Sequence, residues 1–285
     1  MKSAWVFEVG EKDFDEKVLA KSKETPIVVD FWAPWCGPCR SLAPLLEKHI
    51  AGRNGEVLLA KVNIDDEQGL AYRYNVQSIP LVVGFRGGKA VLEFLGLVSE
   101  KQLTDFLDRL QPSQAERLAK QALELETNNP AEAERIYRQA IKDDPREEHA
   151  ILGLTRILIA QDKDGEAAEL LGNVFPADEL RDEKERLEAI LALKREAADC
   201  GDEETLRHRL EVDPKNANAR YDLGVVLAAQ GHYEEGLKLL YAAGELDRKL
   251  AAAKVKQAMV QVFHAIGVRS PLADEYRDKL AGILY

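Results

Sequence analysis

The chain has 285 residues, three cysteines and a formal net charge of −11 at pH 7. Its length suits two domains of ordinary size, and three cysteines are too few for a small secreted protein held together by disulfides. The negative charge argues against nucleic acid as a partner. No stretch approaches the ~18 apolar residues of a membrane span, and the first residues lack a signal-peptide core, so we expect a cytoplasmic protein without a membrane partner.

The first strong pattern is an apolar run followed by two closely spaced cysteines. Residues 27–32 predict a buried strand, and Pro38 stands where the first turn of a helix tolerates proline. Cys36 would then lie at a helix N-terminus, where free N–H groups and the helix dipole favour a thiolate. Cys39 lies one turn inside the helix, so the pattern predicts a redox-active disulfide in which Cys36 is the more exposed, attacking thiol and Cys39 the resolving thiol. We expect no other cofactor.

Zinc sites also use this cysteine spacing, but a structural site needs four ligands. The remaining cysteine is Cys200, and His49 lies on a predicted helix without a second CxxC motif, so we expect no metal. Cys200 itself stands near a predicted helix end with no basic residue immediately beside it. We interpret it as a small half-buried residue, and the alternatives are a regulatory thiol or a mixed-disulfide site.

Three later segments extend the pattern: 60–65 (AKVNID), 78–80 (SIP) and 94–96 (FLG). Together with residues 26–40 (PIVVDFWAPWCGPCR), their order and spacing resemble the thioredoxin family over roughly residues 4–110. The resemblance implies an α/β thioredoxin fold, with a central mixed sheet flanked by helices, and protein-disulfide oxidoreductase activity.

The resemblance also implies catalytic groups besides the cysteines. A cis peptide bond before Pro80 would face the disulfide, and Asp30 would be buried behind Cys39 with Lys61 near it. Burial raises the pKa of a carboxyl group, which suits Asp30 to carry a proton for the resolving thiol. Two alternatives stay open: Asp30 as a polar core residue without a proton role, and Lys61 as a solvated charge at a strand end.

Beside the disulfide, the resemblance implies an apolar shelf that binds an extended substrate. Its predicted substrate-binding residues are Trp35, Gly37, Pro38, Ile79 and Gly96. Leu81 follows the proline where thioredoxins commonly have threonine, and Leu95 and Leu97 flank the glycine. These apolar residues favour sequence-tolerant binding of unfolded chains, and they weaken the expectation of a thioredoxin reductase as redox partner.

A second domain follows a short polar linker. Residues 1–110 form the predicted thioredoxin-like domain, residues 111–114 the linker, and residues 115–285 a helical domain. The net charge is −2 over residues 1–110 and −9 over the remainder, and Pro112 breaks a helix at the linker. Strand patterns alternate with helix patterns before the linker and disappear after it.

The helical domain has a period of about 34 residues, which is typical of tetratricopeptide repeats. The clearest unit is 216–246, an earlier one surrounds Tyr137, and 148–175 and 183–210 are more degenerate. We predict about four helical pairs of tetratricopeptide-like α-helical repeats, and the alternative is an irregular helical bundle. Either arrangement buries one face of the helices and leaves a concave surface for a polypeptide.

The whole chain resembles the chaperedoxin family, bacterial thioredoxin-fold co-chaperones with tetratricopeptide-like repeats. The resemblance implies holdase binding of unfolded or oxidised protein clients and their transfer to the chaperonin and Hsp70 systems. Some members of that family lack the first cysteine of the motif, whereas this chain keeps both, so we expect oxidoreductase activity as well. The alternatives are a plain protein-disulfide reductase whose repeats only select substrates, and a non-enzymatic repeat adaptor.

The final predicted helix has one apolar side, with Tyr285 at its free end. The residues on that side are Leu272, Tyr276, Leu280, Ile283 and Leu284. The side either packs back on the preceding helices or forms an exposed apolar tip that docks onto the chaperonin. We expect the helical domain, through this helix, to recruit downstream chaperones.

Overall fold

The computed structural model describes residues 4–176 and 178–284, and the chain divides between Ser113 and Gln114 into two compact units. The described part of the first unit contains a five-stranded sheet in the order β1-β3-β2-β4-β5. Its strands are β1 (Val6–Glu8), β2 (Ile27–Trp32), β3 (Leu58–Asn63), β4 (Leu81–Arg86) and β5 (Lys89–Leu95). The first three strands are parallel, whereas β4 and β5 join antiparallel. This confirms the predicted mixed sheet.

Helices flank the sheet on both faces. They are α1 (Gly37–Ala51), α2 (Gln68–Arg73) and α3 (Glu100–Leu110), preceded by a π-helical segment, Asp15–Ala20, and a 3₁₀ turn, Lys21–Lys23. Successive side chains of a strand point to opposite faces. In β2, Val29 and Phe31 therefore enter the core beside Phe14, while Val28 enters the core formed with α1 and α3. The same alternation directs Asp30 toward α1.

The second unit consists of helices in all its described elements. They are α4 (Gln114–Leu125), α5 (Pro130–Asp143), α6 (Glu148–Ala160), α7 (Asp164–Gly172), α8 (Asp178–Ala197), α9 (Glu203–Val212), α10 (Ala217–Ala229), α11 (Tyr233–Leu246), α12 (Arg248–Leu250), α13 (Lys256–Ile266) and α14 (Pro271–Leu284). A π-helical turn, Ala251–Val255, joins α12 to α13. Because α4 starts at Gln114, that residue belongs to a helix and not to the linker where the sequence placed it.

The long helix α8 takes part in two hydrophobic cores. Its Leu187 and Leu191 pack in the core built by α4 to α7, whereas Ala189 and Leu193 pack in the core built by α10, α11, α13 and α14. Helix α13 packs directly on α8, although the pair α10–α11 lies between them in sequence. Repeats of a simple solenoid contact only their neighbours. The α13–α8 contact joins helices that are not neighbours in the repeat order, so this unit departs from a simple solenoid at α8.

Helix α14 packs back onto the preceding helices. Tyr276 and Leu280 are buried in the second core, and Leu272 and Ile283 are partly buried against it. The alternative of an exposed apolar tip is therefore wrong for these four residues, because the second core covers them. The Leu284 side chain and Tyr285, which the same expectation included, lie outside the described residues.

Helices α5 and α6 meet at a glycine. Tyr137 is fully buried on α5, and a Cβ atom added to Gly153 on α6 would overlap its ring. The Tyr137 hydroxyl donates a hydrogen bond to Glu126, and the Arg156 guanidinium binds the same carboxylate. Because the ring is buried and its hydroxyl is fixed by this hydrogen bond, moving away from an added Cβ would break the contact.

We expect Gly153→Ala to destabilise the second unit by about 2 kcal/mol, because overpacking a close-packed site typically costs ~1–3 kcal/mol. Gly165→Ala on α7 is the matched control, since an added Cβ there meets no atom within 4 Å. Urea unfolding followed by the helical circular dichroism signal measures both variants. Equal stability of the two variants would show that the glycine is not required at the α5–α6 contact.

Candidate active site

The two cysteines of the motif form a disulfide at the start of α1. Cys36 is the N-cap residue, with an extended backbone, and the helix begins at Gly37 with Pro38 in its first turn. The Cys36–Cys39 Cα atoms are 5.3 Å apart, and the Cys39 N–H lies 3.1 Å from Cys36 Sγ. Once the disulfide is reduced, that N–H and the helix dipole favour negative charge on Cys36 Sγ. The predicted disulfide and helix N-terminus are confirmed.

The difference in exposure between the two cysteines is smaller than expected. Cys36 is 4% exposed and Cys39 is 2% exposed, so both are buried in the disulfide state. The order agrees with the expectation that Cys36 is the more exposed cysteine, but the margin is small because both residues are covered in this state. What separates the two cysteines is position, since Cys36 precedes the helix and Cys39 lies within it.

One of the covering groups is the predicted cis peptide bond between Ile79 and Pro80. The Ile79 carbonyl oxygen lies 3.8 Å from Cys36 Sγ. The N–H of Gly96 donates a hydrogen bond of 2.8 Å to the Pro80 carbonyl, and Gly96 has a φ of +79°, which glycine adopts without strain. The structure thus brings Ile79, Pro80 and the segment at Gly96 together beside the disulfide.

Exposed apolar side chains flank these groups. Trp35 is 66% exposed immediately before Cys36, and Leu95 and Leu97, on either side of Gly96, are 60% and 59% exposed. The Trp35 indole N–H donates to the Asp65 carboxylate at 3.0 Å, which holds the ring in place. Sequence analysis assigned no role to Asp65. Its position two residues after the end of β3, at the same edge of the sheet as the cysteines, was the signal that could have placed it near Trp35. Trp35, Leu95 and Leu97 thus form an exposed apolar shelf next to the disulfide.

Behind the disulfide lies a cavity of about 280 Å³. Its lining residues are Asp30, Trp32, Cys39, Arg40, Ala43, Pro44, Glu47 and Lys61. Asp30 pairs with Lys61 in the parallel register of β2 and β3 and is only 1% exposed. The pKa of the Asp30 carboxyl is raised to about 6, because burial, helped by the nearby Glu47 charge, outweighs the Lys61 charge that lowers it. A carboxyl group of that pKa beside Cys39 is suited to exchange a proton near neutral pH.

The cavity contains polar atoms without partners. Asp30 Oδ1 and Trp32 Nε1 are buried and make no hydrogen bond to any described residue. Lys61 is not a solvated strand-end charge: its Nζ lies 3.1 Å from Glu47 Oε1 and 5.2 Å from the centroid of the Trp32 ring. Sequence analysis missed Glu47. The signal that could have found it is helical spacing, because it stands eight residues after Cys39 and therefore on the same face of α1.

Cys200 lies in the second unit, half-buried, and its Sγ donates a hydrogen bond of 3.3 Å to the Glu196 carbonyl. Burial, together with the charges of Asp222 and Glu196, raises the pKa of its thiol to about 12. A thiol with so high a pKa is a poor nucleophile, which agrees with the interpretation of Cys200 as a small half-buried residue.

Among residues 4–176 and 178–284, no cluster of acidic, histidine and cysteine side chains could hold a metal ion, and no helix could span a membrane.

Comparison with known proteins divides the chain at the same place. A thioredoxin family model matches residues 5–109, and two tetratricopeptide repeat models match residues 124–192 and 196–285. "Probable thioredoxin-2" of Caenorhabditis elegans is 43% identical over 106 residues, which are 37% of this chain and 72% of that protein. The mitochondrial thioredoxin of Mus musculus is 47% identical over 98 residues, 34% of this chain and 58% of its own. The thioredoxin of Haemophilus influenzae is 35% identical over 104 residues, 36% of this chain and 95% of its own.

The raised pKa of Asp30 predicts how stability depends on pH. Between pH 3.8 and about 6 the unfolded state binds fewer protons than the folded state, so stability falls as pH rises through this window. We therefore expect the stability of Asp30→Asn relative to the wild type to increase by about 2–3 kcal/mol from pH 4 to pH 8. Fluorescence-detected urea unfolding of the oxidised chain measures this, since all three tryptophans (Trp5, Trp32 and Trp35) belong to the first unit.

Asp105→Asn, an exposed aspartate on α3, is the control, and its stability relative to the wild type should change little over this range. A difference between Asp30→Asn and the wild type that stays constant from pH 4 to pH 8 would contradict the raised pKa.

Proposed function

Since this chain belongs to the thioredoxin family, we propose that it is a co-chaperone that combines thiol–disulfide exchange with the holding of unfolded proteins. Its first unit is a thiol–disulfide oxidoreductase of the thioredoxin type. Its second unit, of tetratricopeptide type, is suited to polypeptide partners. The proposal includes unfolded or oxidised protein clients and their transfer to the chaperonin and Hsp70 systems in the cytoplasm.

The observation that supports this function best is the apolar shelf beside the disulfide. Trp35, Leu95 and Leu97 are each more than half exposed, although burying such side chains is favourable by about 1.5–3 kcal/mol each. Apolar side chains left in water around a reactive group favour a partner that covers them. An unfolded chain presents its own apolar side chains and cysteines together, so it matches both parts of the site.

The reductive cycle begins when a reductant supplies two electrons and two protons and opens the Cys36–Cys39 disulfide. The Cys36 thiolate then attacks a client disulfide: the client S–S bond breaks, a mixed disulfide forms, and the leaving client sulfur takes up a proton. Cys39 gives its proton to the Asp30 carboxylate and attacks Cys36 Sγ. The bond between Cys36 Sγ and the client sulfur breaks, the protein disulfide is restored, and the second client sulfur leaves as a thiolate that takes up the proton held by Asp30. We propose that a thioredoxin reductase is the reductant that supplies these electrons.

A plain reductase whose repeats only select substrates is the second candidate. The packing of α13 on α8 and the burial of α14 favour it, because both reduce the apolar surface that the repeats offer to an unfolded chain. A non-enzymatic adaptor with vestigial cysteines is disfavoured. Such a protein would gain nothing from a buried Asp30, whose burial costs stability at neutral pH.

The order of attack is tested by trapping. We expect Cys39→Ser to accumulate mixed disulfides with oxidised insulin through Cys36, because the resolving thiol is missing, and Cys36→Ser to accumulate few. Non-reducing electrophoresis followed by peptide mapping measures the adducts, and the reduced wild type should reduce the same insulin. Trapping through Cys39 in Cys36→Ser, without trapping in Cys39→Ser, would reverse the assignment.

Suppression of client aggregation separates holding from redox chemistry. We expect the Cys36→Ser/Cys39→Ser double variant to suppress aggregation of a heat-denatured, cysteine-free client as well as the wild type does, because the shelf remains. Leu95→Ser/Leu97→Ser should lose at least half of this suppression. The control is Val91→Ser, an exposed residue on the same strand about 13 Å from Leu95. Light scattering measures aggregation of the client with the wild type and with each of the three variants. If the wild type itself does not suppress aggregation, the plain reductase is favoured.

A further inference from the structure

Glu47 is a charged residue of the cavity that the thiol–disulfide cycle described above does not use. It lies on α1, the helix that also holds both cysteines, and it lines the cavity together with Asp30, Cys39 and Lys61. Its side chain is 45% exposed, whereas that of Lys61 is 18% exposed. Glu47 therefore stands where the cavity meets solvent, with Lys61 between it and the buried interior.

The Lys61 ammonium is held from two directions. Glu47 Oε1 accepts a hydrogen bond from its Nζ at 3.1 Å, and the Trp32 ring lies 5.2 Å from the same nitrogen. Asp30, the register partner of Lys61, has an oxygen without any hydrogen-bond partner among the described residues. The ammonium thus bonds to the half-exposed carboxylate, while Oδ1 of the buried one makes no hydrogen bond to the described residues.

We propose that Glu47 is a positioning residue, which keeps Lys61 from pairing fully with Asp30 and so lets the Asp30 carboxyl hold a proton for the resolving cysteine. The inference rests on the disulfide-exchange function of the same site. In this role Glu47 acts through Lys61 and through its own charge and takes no part in the thiol–disulfide exchange itself.

Both actions of Glu47 have the same sign. Its negative charge disfavours a second negative charge on Asp30, and its hydrogen bond offsets the positive charge of Lys61 that would favour one. The other charged group that lines the cavity is Arg40, which is exposed and directs its guanidinium to the Pro34 carbonyl at 3.5 Å. In the reduced protein, the Cys39 thiol, which lines the same cavity, is a further titratable group near Asp30.

The test is Glu47→Gln in the full chain, because glutamine keeps the shape and a hydrogen-bond acceptor for Lys61 but removes the charge. We expect the pKa of Asp30 in the oxidised protein to fall by about half a unit. Carboxyl-¹³C NMR of aspartate-labelled chain measures it, with the Asp30 signal assigned by its absence in Asp30→Asn. Glu47→Asp, which keeps the charge, should restore most of the wild-type value, and the exposed Glu93→Gln on β5 should leave it unchanged.

A second readout is the pH profile for release of a mixed disulfide, which should move to lower pH by the same half unit in Glu47→Gln. The proposal is overturned if the Asp30 titration in Glu47→Gln equals that of the wild type, or if Glu47→Asp behaves like Glu47→Gln. The NMR titration needs no client and no turnover. Failure of this inference is therefore distinguishable from failure of the proposed function, which insulin reduction by the wild type tests separately.

Discussion

The burial of strand β2 on both faces is the constraint on which the active site depends. Residues 27–31 are all 0–1% exposed, so the strand has no freedom to shift its register or to turn a side chain to solvent. Its period of two sends Val28 and Asp30 toward α1, and its end delivers Cys36 to the first turn of that helix. The disulfide and the buried carboxyl group are thus positioned by one element.

Burying Asp30 lowers the stability of the folded state at neutral pH but provides a carboxyl group that can transfer a proton. A carboxyl group in an apolar interior disfavours the folded state once it ionises, and natural proteins keep such groups mainly where they have a function. The pKa of Asp30, about 6, lies close to the pH at which a proton must be accepted and returned. Lys61 and Glu47 act on that carboxyl with opposite signs, so the cavity can hold a charged pair and still leave Asp30 protonatable.

The second unit is organised around a different shared element. Helix α8 contributes neighbouring residues to two cores, Leu187 and Leu191 to one and Ala189 and Leu193 to the other. Helix α10 is also enclosed on both sides, with Tyr221 and Val225 in one cluster and Leu223 in another. Both helices thus take part in two hydrophobic clusters. The repeat unit is consequently held together by central helices more than by a chain of independent pairs.

Local patterns in the sequence predicted the parts of this protein that depend on neighbouring residues. The apolar run before the cysteines and Pro38 in the first helical turn suffice for the strand and the helix N-terminus, because each depends on residues a few positions apart. The repeat period suffices for the helical pairs, because the same local pattern recurs along the chain. Only tertiary packing decided the near-equal burial of the cysteines, the Glu47–Lys61 pair and the α13–α8 contact. These join segments far apart in sequence, and which apolar or charged side chains meet there depends on how whole elements pack.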